Sequence, residues 1–92
     1  MKYSVEISQE AKDDILRLEK SGDKGSLRKL YKLLEELEQH PKSGTGKPEQ
    51  LKHFSKPTWS RRISQKHRLI YEIQEDKVVV LVLSAYGHYD NN

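Results

Sequence analysis

The chain has 92 residues, a net charge of +3, and equal hydrophobic and charged fractions of 34%. This length predicts one domain, residues 1–92, which buries about 60–65% of the surface of its unfolded chain, so an active site must lie on an edge or in a shallow cleft. The absence of cysteine excludes disulfides and cysteine-based zinc sites, and no apolar run approaches the ~20 residues that span a bilayer. Because the N-terminus also lacks the apolar core of a signal peptide, we expect a cytoplasmic protein that does not contact a membrane.

The N-terminal segment predicts a strand followed by a short helix. Tyr3, Val5 and Ile7 alternate with polar residues, which is typical of a strand with one buried face. Ser8 then provides an N-cap, and apolar residues at helical spacing predict a helix over residues 9–20.

A second helix is predicted between a break at residues 21–23 and His40. Its apolar residues form a stripe along one side: Leu27, Leu30, Tyr31, Leu34 and Leu37. Pro41 disfavours helical geometry at His40 and ends the helix there. The two helices therefore form a hairpin with one apolar face each, and both faces need a cover.

The second half of the sequence predicts the sheet that provides this cover. Residues 42–48 are a loop by composition, and strand-like runs follow near residues 49–54, 59–64, 68–74 and 78–84. Polar turns between the later runs predict consecutive antiparallel hairpins. The run 78–83 is apolar at both parities, which predicts a central strand covered on both faces. The predicted fold class is α+β: an N-terminal strand, a two-helix hairpin and a twisted antiparallel sheet of about four to five strands.

Positive charge is concentrated in the middle of the chain. Residues 41–68 hold eight Lys or Arg residues against Glu49 alone, a balance of +7, whereas residues 1–40 and 69–92 carry −1 and −3. Charges scattered by chance over a solvated surface rarely show such a concentration. The segment therefore predicts an anionic partner, such as a nucleic acid.

Cleavage of RNA by its own 2′-hydroxyl needs three kinds of group and no metal. A base takes the hydroxyl proton, cations or donors stabilise the pentavalent phosphate, and an acid protonates the departing 5′-oxygen. Glu49 is the one acidic residue of the basic segment and lies between Lys47 and Lys52, so it is a candidate base. A surface salt bridge is an equally good interpretation of this residue.

Arginines are the candidate cations. Arg61 and Arg62 are neighbours in a predicted strand and point to opposite faces, so at most one of them faces a given site. Arg68 begins the next strand across a tight turn. Planar guanidinium groups bind phosphate in a bidentate manner, and the alternative interpretation is a solvated edge that attracts the RNA backbone.

The four histidines differ in their prospects. His88 follows the last predicted strand, and a side chain that titrates near neutrality suits a general acid, although a terminal histidine is also typical of a plain tail. His40 fits a helix C-terminus, where a cation is favoured by the dipole. His53 and His67 are interpreted either as phosphate contacts or as loop residues.

The aromatic residues divide into core and surface candidates. Trp59 and Tyr71 share strand parity with apolar neighbours, which predicts core positions for both. Tyr86 and Tyr89 follow the sheet and are better placed to stack on an exposed base. No ligand spacing supports a zinc site, and neither a metal nor a cofactor is predicted.

Four segments of the chain match a known pattern in order and in spacing. They are Gly-Lys-Pro-Glu-Gln-Leu-Lys-His at 46–53, Trp-Ser-Arg-Arg-Ile at 59–63, His-Arg-Leu-Ile-Tyr at 67–71, and His-Tyr at 88–89. This pattern resembles the YoeB (Txe) toxins of bacterial type II toxin–antitoxin systems, within the RelE-like group, and the resemblance covers nearly the whole chain. It implies a RelE-like, microbial-ribonuclease-like fold and an endoribonuclease that cuts mRNA in the ribosomal A site and so inhibits translation.

The resemblance also implies a role for individual residues. Glu49 is the general base, Arg68 supports the phosphate, and His88 is the general acid, with Tyr89 beside it as a further catalytic residue. Lys52 and Arg62 match basic positions near the scissile phosphate. Together with Lys47 and Arg61 of the basic segment, they are the expected RNA-binding residues. In contrast to familiar members, which end at His-Tyr, this chain continues with Asp90-Asn91-Asn92.

Partners follow from the resemblance as well. It implies mRNA on the 70S ribosome, a homodimer, and a YefM-like antitoxin whose C-terminal segment wraps the toxin, with operator DNA contacted only through that antitoxin. Two other hypotheses stay open. One is a non-catalytic nucleic-acid-binding module that uses only the basic surface, and the other is a degenerate toxin homologue kept for antitoxin binding.

Overall fold

A computed structural model describes residues 2–87, in which one strand and two helices precede four further strands. The elements are β1 Ser4–Ile7, α1 Gln9–Ser21, α2 Lys24–Leu37, β2 Glu49–Gln50, β3 Thr58–Arg62, β4 Arg68–Gln74 and β5 Val79–Ser84, with a short 3₁₀ turn at Glu75–Lys77. The strands form one sheet in the order β1-β5-β4-β3-β2. This arrangement confirms the predicted α+β class.

Local capping explains the two helices. The Ser8 side chain accepts a hydrogen bond from the Ala11 amide at 3.1 Å, as the predicted N-cap should, and Gly22 ends α1 in the left-handed conformation. Asp23 caps α2 by accepting from the Ser26 amide. In the described part of the chain, neither helix is long and apolar enough to cross a bilayer.

The second helix is shorter than predicted. It ends at Leu37 rather than at His40, because the amides of Gln39 and His40 both donate to the Glu36 carbonyl, which closes the last turn on a single oxygen. The carbonyl of His40 is then available to the loop that follows, where it accepts a hydrogen bond from Arg61.

The sheet is mixed rather than wholly antiparallel. The pairs β2–β3, β3–β4 and β4–β5 are antiparallel as predicted, but β1 runs parallel to β5, with Val5 beside Val80 and Ile7 beside Val82. Parallel neighbours need a long crossover connection, and here both helices lie within it. The helical hairpin therefore packs across the sheet.

One face of the sheet packs against the helices and forms the core. The helices contribute the buried side chains Leu18, Leu30, Leu33 and Leu37, and the strands contribute Leu69, Tyr71, Ile73, Val80 and Val82. Tyr71 is thus a core residue, as predicted, and Trp59 is partly buried against the same cluster. The prediction that residues 78–83 are covered on both faces is wrong, because Val79, Leu81 and Leu83 on the opposite side of β5 remain partly exposed.

The predicted strand at 49–54 is reduced to two residues. Pairing continues only as far as Leu51, whose amide donates to the Thr58 carbonyl at 2.8 Å. The chain then leaves the sheet, and His53 adopts the left-handed conformation with φ of 68°. A loop therefore occupies most of the segment between β2 and β3, whereas β4 has its predicted bounds.

Arg61 lies fully buried on the helix side of β3. Its guanidinium group pairs with the Glu36 carboxylate at 2.9 Å and donates to the Tyr71 hydroxyl at 3.0 Å. It also donates to carbonyl oxygens of the loop after α2, namely those of His40, Ser43 and Thr45. The prediction that Arg61 contacts RNA is therefore wrong, since its donors are directed into the protein and away from solvent.

Glu36 is held in the ionised form by its partners. Its oxygens accept from the Thr45 amide at 2.9 Å and the Thr45 hydroxyl at 2.6 Å, in addition to Arg61. Burial opposes the charged carboxylate, but the hydrogen bonds from Thr45 and the nearby guanidinium outweigh it and hold the pKa of Glu36 below its usual value. The pair therefore ties α2, β3 and the loop between them together.

We expect Glu36→Gln to lower the free energy of unfolding by about 3 kcal/mol, because it leaves the buried Arg61 without a counter-charge. Glu38→Gln is the matched control, since Glu38 pairs with Lys2 at the surface, where the two side chains are 42% and 66% exposed. That change should cost no more than about 0.5 kcal/mol. Urea unfolding measures both, and equal losses would contradict the proposed importance of the buried pair.

The same pair predicts a pH dependence. Because the pKa of Glu36 in the folded protein lies below its ordinary value of 4.5, its contribution to stability is complete above that pH and is lost as the pH falls through the lower, folded-state pKa. We therefore expect the wild type to lose stability below about pH 4.5 more steeply than Glu36→Gln. Unfolding midpoints measured from acid to neutral pH check this difference. Near neutrality the two proteins should differ in stability but respond to pH alike.

Candidate active site

The sheet face that the helices leave uncovered carries three of the predicted site residues. Glu49 of β2 is paired with Ser60 of β3, and Arg62 of β3 is paired with Arg68 of β4. Paired residues project from the same face, and so do residues two apart along one strand. Glu49, Arg62 and Arg68 therefore share one face across three neighbouring strands, with the side chain of Ser60 between them.

Exposure differs among these side chains in a way that suits a shallow site. Glu49 and Arg62 are exposed, Arg68 is partly buried, and Ser60 is only 3% exposed. Side chains that are directly opposite on antiparallel strands have Cβ atoms about 5 Å apart, so the two guanidinium groups start from neighbouring positions. The face thus presents a carboxylate at its edge and two cations further in.

Gly46 determines where the chain enters β2 and therefore where Glu49 lies on this face. Gly46 has φ of +85°, and its carbonyl accepts from the Arg62 amide at 2.7 Å. A Cβ at this position would lie 2.9 Å from the Arg62 carbonyl oxygen, so only glycine fits without displacement. Lys47 follows in the left-handed conformation and is exposed, and the chain enters β2 two residues later. The close contact with β3 thereby fixes where Glu49 begins the edge strand.

The chain after β5 returns to the start of β4. The Arg68 amide donates to the Gly87 carbonyl at 3.0 Å, and the Gly87 amide donates to Nδ1 of His67 at 2.9 Å. Gly87 is the last residue that the structure describes. The predicted catalytic residues His88 and Tyr89 follow it in the sequence and lie outside the described residues.

The structure also gives positions for His67, Tyr86 and His53, whose roles the sequence does not decide. His67 is neither a phosphate contact nor a simple loop residue, because it is only 9% exposed and bonded to Gly87. The ring of Tyr86 lies 4.3 Å from the His67 ring and 4.1 Å from the Arg17 guanidinium, so that stacking on a base is not its role in this arrangement. His53 is an exposed loop residue.

Asp14 is a further residue of this region, and sequence reasoning missed it. Its side chain is 7% exposed, and its carboxylate accepts from the Ala85 amide at 2.9 Å. A signal for it was present, since Asp14 lies on the buried stripe of α1 between Ala11 and Leu18. A carboxylate on an apolar helix face needs a hydrogen-bond donor, which here comes from the segment after β5.

A surface cavity of the described chain lies away from this face. It is lined by Lys56, Pro57 and residues 73–77, at the end of β4 opposite to Arg68. Six residues of extended chain separate the two ends by about 20 Å, so the cavity is not part of the candidate site. Within residues 2–87, no three His, Asp or Glu side chains are grouped so that they could hold a metal ion.

Comparison with known proteins identifies the family of the chain. The family model of the YoeB-like toxin of bacterial type II toxin–antitoxin systems matches residues 7–89. Toxin YoeB of Escherichia coli K12 is 38% identical over 82 residues, which cover 89% of this chain and 94% of that protein.

Two solved structures from Staphylococcus aureus have the same fold. The YoeB dimer has a TM-score of 0.79 at 29% identity, with 97% of this chain and 100% of that chain covered. The YoeB–YefM complex has a TM-score of 0.75 at 28% identity, with the same coverage.

The α+β fold and the family match together define a toxin of a bacterial type II toxin–antitoxin system. Within that class, the chain belongs to the family of YoeB-like toxins.

We expect Gly46→Ala to lower the free energy of unfolding by about 1 kcal/mol more than Gly22→Ala, because both alanines adopt a left-handed conformation but only the first overpacks its surroundings. Gly22 has φ of +79°, and a Cβ added there would have no atom within 4 Å, so its substitution reports the conformational strain alone. Urea unfolding of the two variants measures the difference. Equal losses would mean that the contact between Gly46 and Arg62 does not constrain the loop.

Proposed function

We propose that this toxin is a ribosome-dependent endoribonuclease that cuts mRNA in the ribosomal A site and thereby inhibits translation. The chemistry is general acid–base catalysis without a metal or other cofactor, performed by a single toxin domain over residues 1–92. One observation carries the proposal: Glu49, Arg62 and Arg68 share the open face of the sheet. The segment that leads into His88 is bonded to the Arg68 backbone beside them.

In the proposed reaction, Glu49 takes the proton of the 2′-hydroxyl and the 2′-oxygen attacks the adjacent phosphorus. The bond from phosphorus to the 5′-oxygen breaks, and His88 gives that oxygen a proton. One product therefore ends in a 2′,3′-cyclic phosphate, which water can open to a 3′-phosphate, and the other begins with a 5′-hydroxyl. Tyr89, next to His88, is proposed to act in the same step.

The two arginines support this chemistry electrostatically. Arg62 and Arg68 lie directly opposite each other on neighbouring strands, so their guanidinium groups can bind one phosphate together. The pentavalent phosphate gains negative charge as it forms. Guanidinium groups in a fixed position therefore bind it more strongly than the starting phosphodiester, which is the requirement for acceleration.

Lys47 and Lys52 are proposed to bind the RNA on either side of the reacting phosphate. Both side chains are exposed, and they flank Glu49 by two and three residues in the sequence. Such contacts add affinity that depends on salt but carry little sequence preference. Arg62 belongs with them as a phosphate contact, whereas Arg61 does not, because it is buried in the core.

The assembly of the toxin is proposed by analogy with its relatives. The Staphylococcus aureus proteins of similar fold form a YoeB dimer and a YoeB–YefM complex. We therefore propose a homodimer and a YefM-like antitoxin for this chain, with operator DNA contacted only through the antitoxin. The proposed target, mRNA on the 70S ribosome, implies action in the cytoplasm.

We expect Glu49→Gln, Arg68→Ala and His88→Ala each to lower the single-turnover rate of mRNA cleavage on 70S ribosomes by about 100-fold or more, because each removes a proton-transfer group or a charge that stabilises the transition state. Glu6→Gln is the matched control. Glu6 is also exposed and projects from the same sheet face, but it lies in β1 at the opposite edge. That variant should cleave at the wild-type rate.

The products and the bound state test the rival hypotheses in the same assay. Cleaved ends should carry a 2′,3′-cyclic phosphate or a 3′-phosphate. A wild-type protein that binds programmed ribosomes but yields no cut mRNA would instead be a non-catalytic binding module or a degenerate toxin. Wild-type rates in all three site variants would refute the assignment of the residues.

A further inference from the structure

We infer that His67 is a positioning residue for the catalytic C-terminal segment. Its Nδ1 atom accepts the hydrogen bond of the Gly87 amide at 2.9 Å, and Gly87 directly precedes His88 in the sequence. His67 would thus act through the backbone and touch neither RNA nor the reacting phosphate. The inference deepens the proposed function, because it rests on His88 as the general acid.

The ring of His67 is held firmly by its own surroundings. Its side chain is nearly buried, and its backbone is fixed in the turn between β3 and β4. The amide of His67 donates to the Ser64 hydroxyl at 3.2 Å, and its carbonyl accepts from the amides of Ile63 and Ser64 at 3.0 and 3.1 Å. The acceptor that meets Gly87 is therefore attached to a rigid turn of the sheet.

Three successive residues after β5 are held by contacts with α1, with His67 and with Arg68. Asp14 of α1 accepts from the Ala85 amide, and the Tyr86 ring contacts both the Arg17 guanidinium and the His67 ring. Gly87 is bonded through both of its backbone groups, to His67 and to the Arg68 amide. This segment thus receives side-chain hydrogen-bond acceptors from Asp14 and His67 where the strand ladder has ended.

The hydrogen bond requires an acceptor at Nδ1 of His67, since an imidazole nitrogen that accepts from an amide carries no proton. A carbocyclic ring of similar shape keeps the contact with Tyr86 but loses the acceptor. An asparagine offers an amide oxygen near the position of Nδ1 but loses the ring. The two substitutions therefore separate the acceptor from the packing.

Loss of the Nδ1 acceptor of His67 should lower the rate of the chemical step more than it weakens RNA binding. Of the proposed RNA-binding residues, Arg62 lies on β3, and Lys47 and Lys52 lie on either side of β2. A general acid displaced by about 1 Å, in contrast, can lose 100-fold in rate. We therefore expect His67→Phe to lower kcat by about 10- to 100-fold with KM nearly unchanged. His67→Asn should retain kcat within about threefold of the wild type, since the Gly87 amide keeps a partner.

The decisive experiment changes the leaving group. Full-length wild type and variants are assayed on 70S ribosomes with mRNA whose scissile 5′-oxygen is replaced by sulfur. A thiolate departs without a proton, so a defect on the acid side is relieved and a defect on the base side is not. We expect His67→Phe and His88→Ala to approach the wild-type rate on this substrate, whereas Glu49→Gln stays slow. Urea unfolding of His67→Phe confirms that the variant is folded under the assay conditions.

The outcomes distinguish an error about His67 from an error about the proposed function. If His67→Phe cleaves ordinary mRNA at the wild-type rate, or stays equally slow on the sulfur-containing substrate, His67 does not position the acid. If His67→Asn is as slow as His67→Phe, the ring and not the acceptor matters, and the inference is again overturned. If Glu49→Gln and His88→Ala cleave ordinary mRNA at the wild-type rate, the proposed function itself fails, independently of His67.

Discussion

A guanidinium group that is wholly removed from water must find its acceptors inside the protein, and Arg61 finds them in Glu36, in Tyr71 and in the loop that follows α2. That loop leads to Gly46, which touches β3, and then to Glu49 at the sheet edge. The ion pair thus links the helical layer to β3 and to the loop that leads to the proposed base. Arg62 follows Arg61 in β3 and therefore projects from the other face, since successive residues of a strand point in opposite directions.

The division of the sheet into two unlike faces follows from the same arrangement. The helices cover the side that carries Tyr71, Val80 and Val82, and the other side carries mostly polar and half-exposed groups, with the buried Ile70 as an exception. Catalytic side chains on such a face are supported by a rigid, hydrogen-bonded backbone but remain open to a large substrate. An RNA substrate supplies the attacking 2′-hydroxyl itself and is large enough to cover a shallow face. For the proposed reaction, such a face therefore does not need to be a deep pocket.

Local signals predict much of the fold. The N-cap at Ser8, the break at residues 21–23 and the bounds of α1 and β4 depend on residues within one or two turns, and their predictions are correct or nearly so. Strand parity also holds, since Arg61 and Arg62 do point to opposite faces. Strand parity alone would place Arg61 on the core side, because it lies between Trp59 and Ile63. Its charge, however, favours the interpretation of a surface group.

The remaining features depend on partners that are distant in sequence. The acceptor for Arg61 is 25 residues away, and the bond from His67 to Gly87 spans 20 residues, so no local pattern indicates either. For the same reason, no local pattern predicts the parallel pairing of β1 with β5. The shared face of Glu49, Arg62 and Arg68 becomes visible only when the register of three strands is known.

The pairing of the first strand with the last has a consequence for synthesis of the protein. Ser4 is paired with Val79, so β1 has no neighbour in the sheet until residues 79–84 have left the ribosomal exit tunnel. Closing a loop of this length is slow compared with forming the helical hairpin, whose contacts are local. The nascent chain therefore passes through a stage in which its helices exist and its sheet does not. The complete sheet, including the pairing of β4 with β5, therefore forms only after β5 has been synthesised.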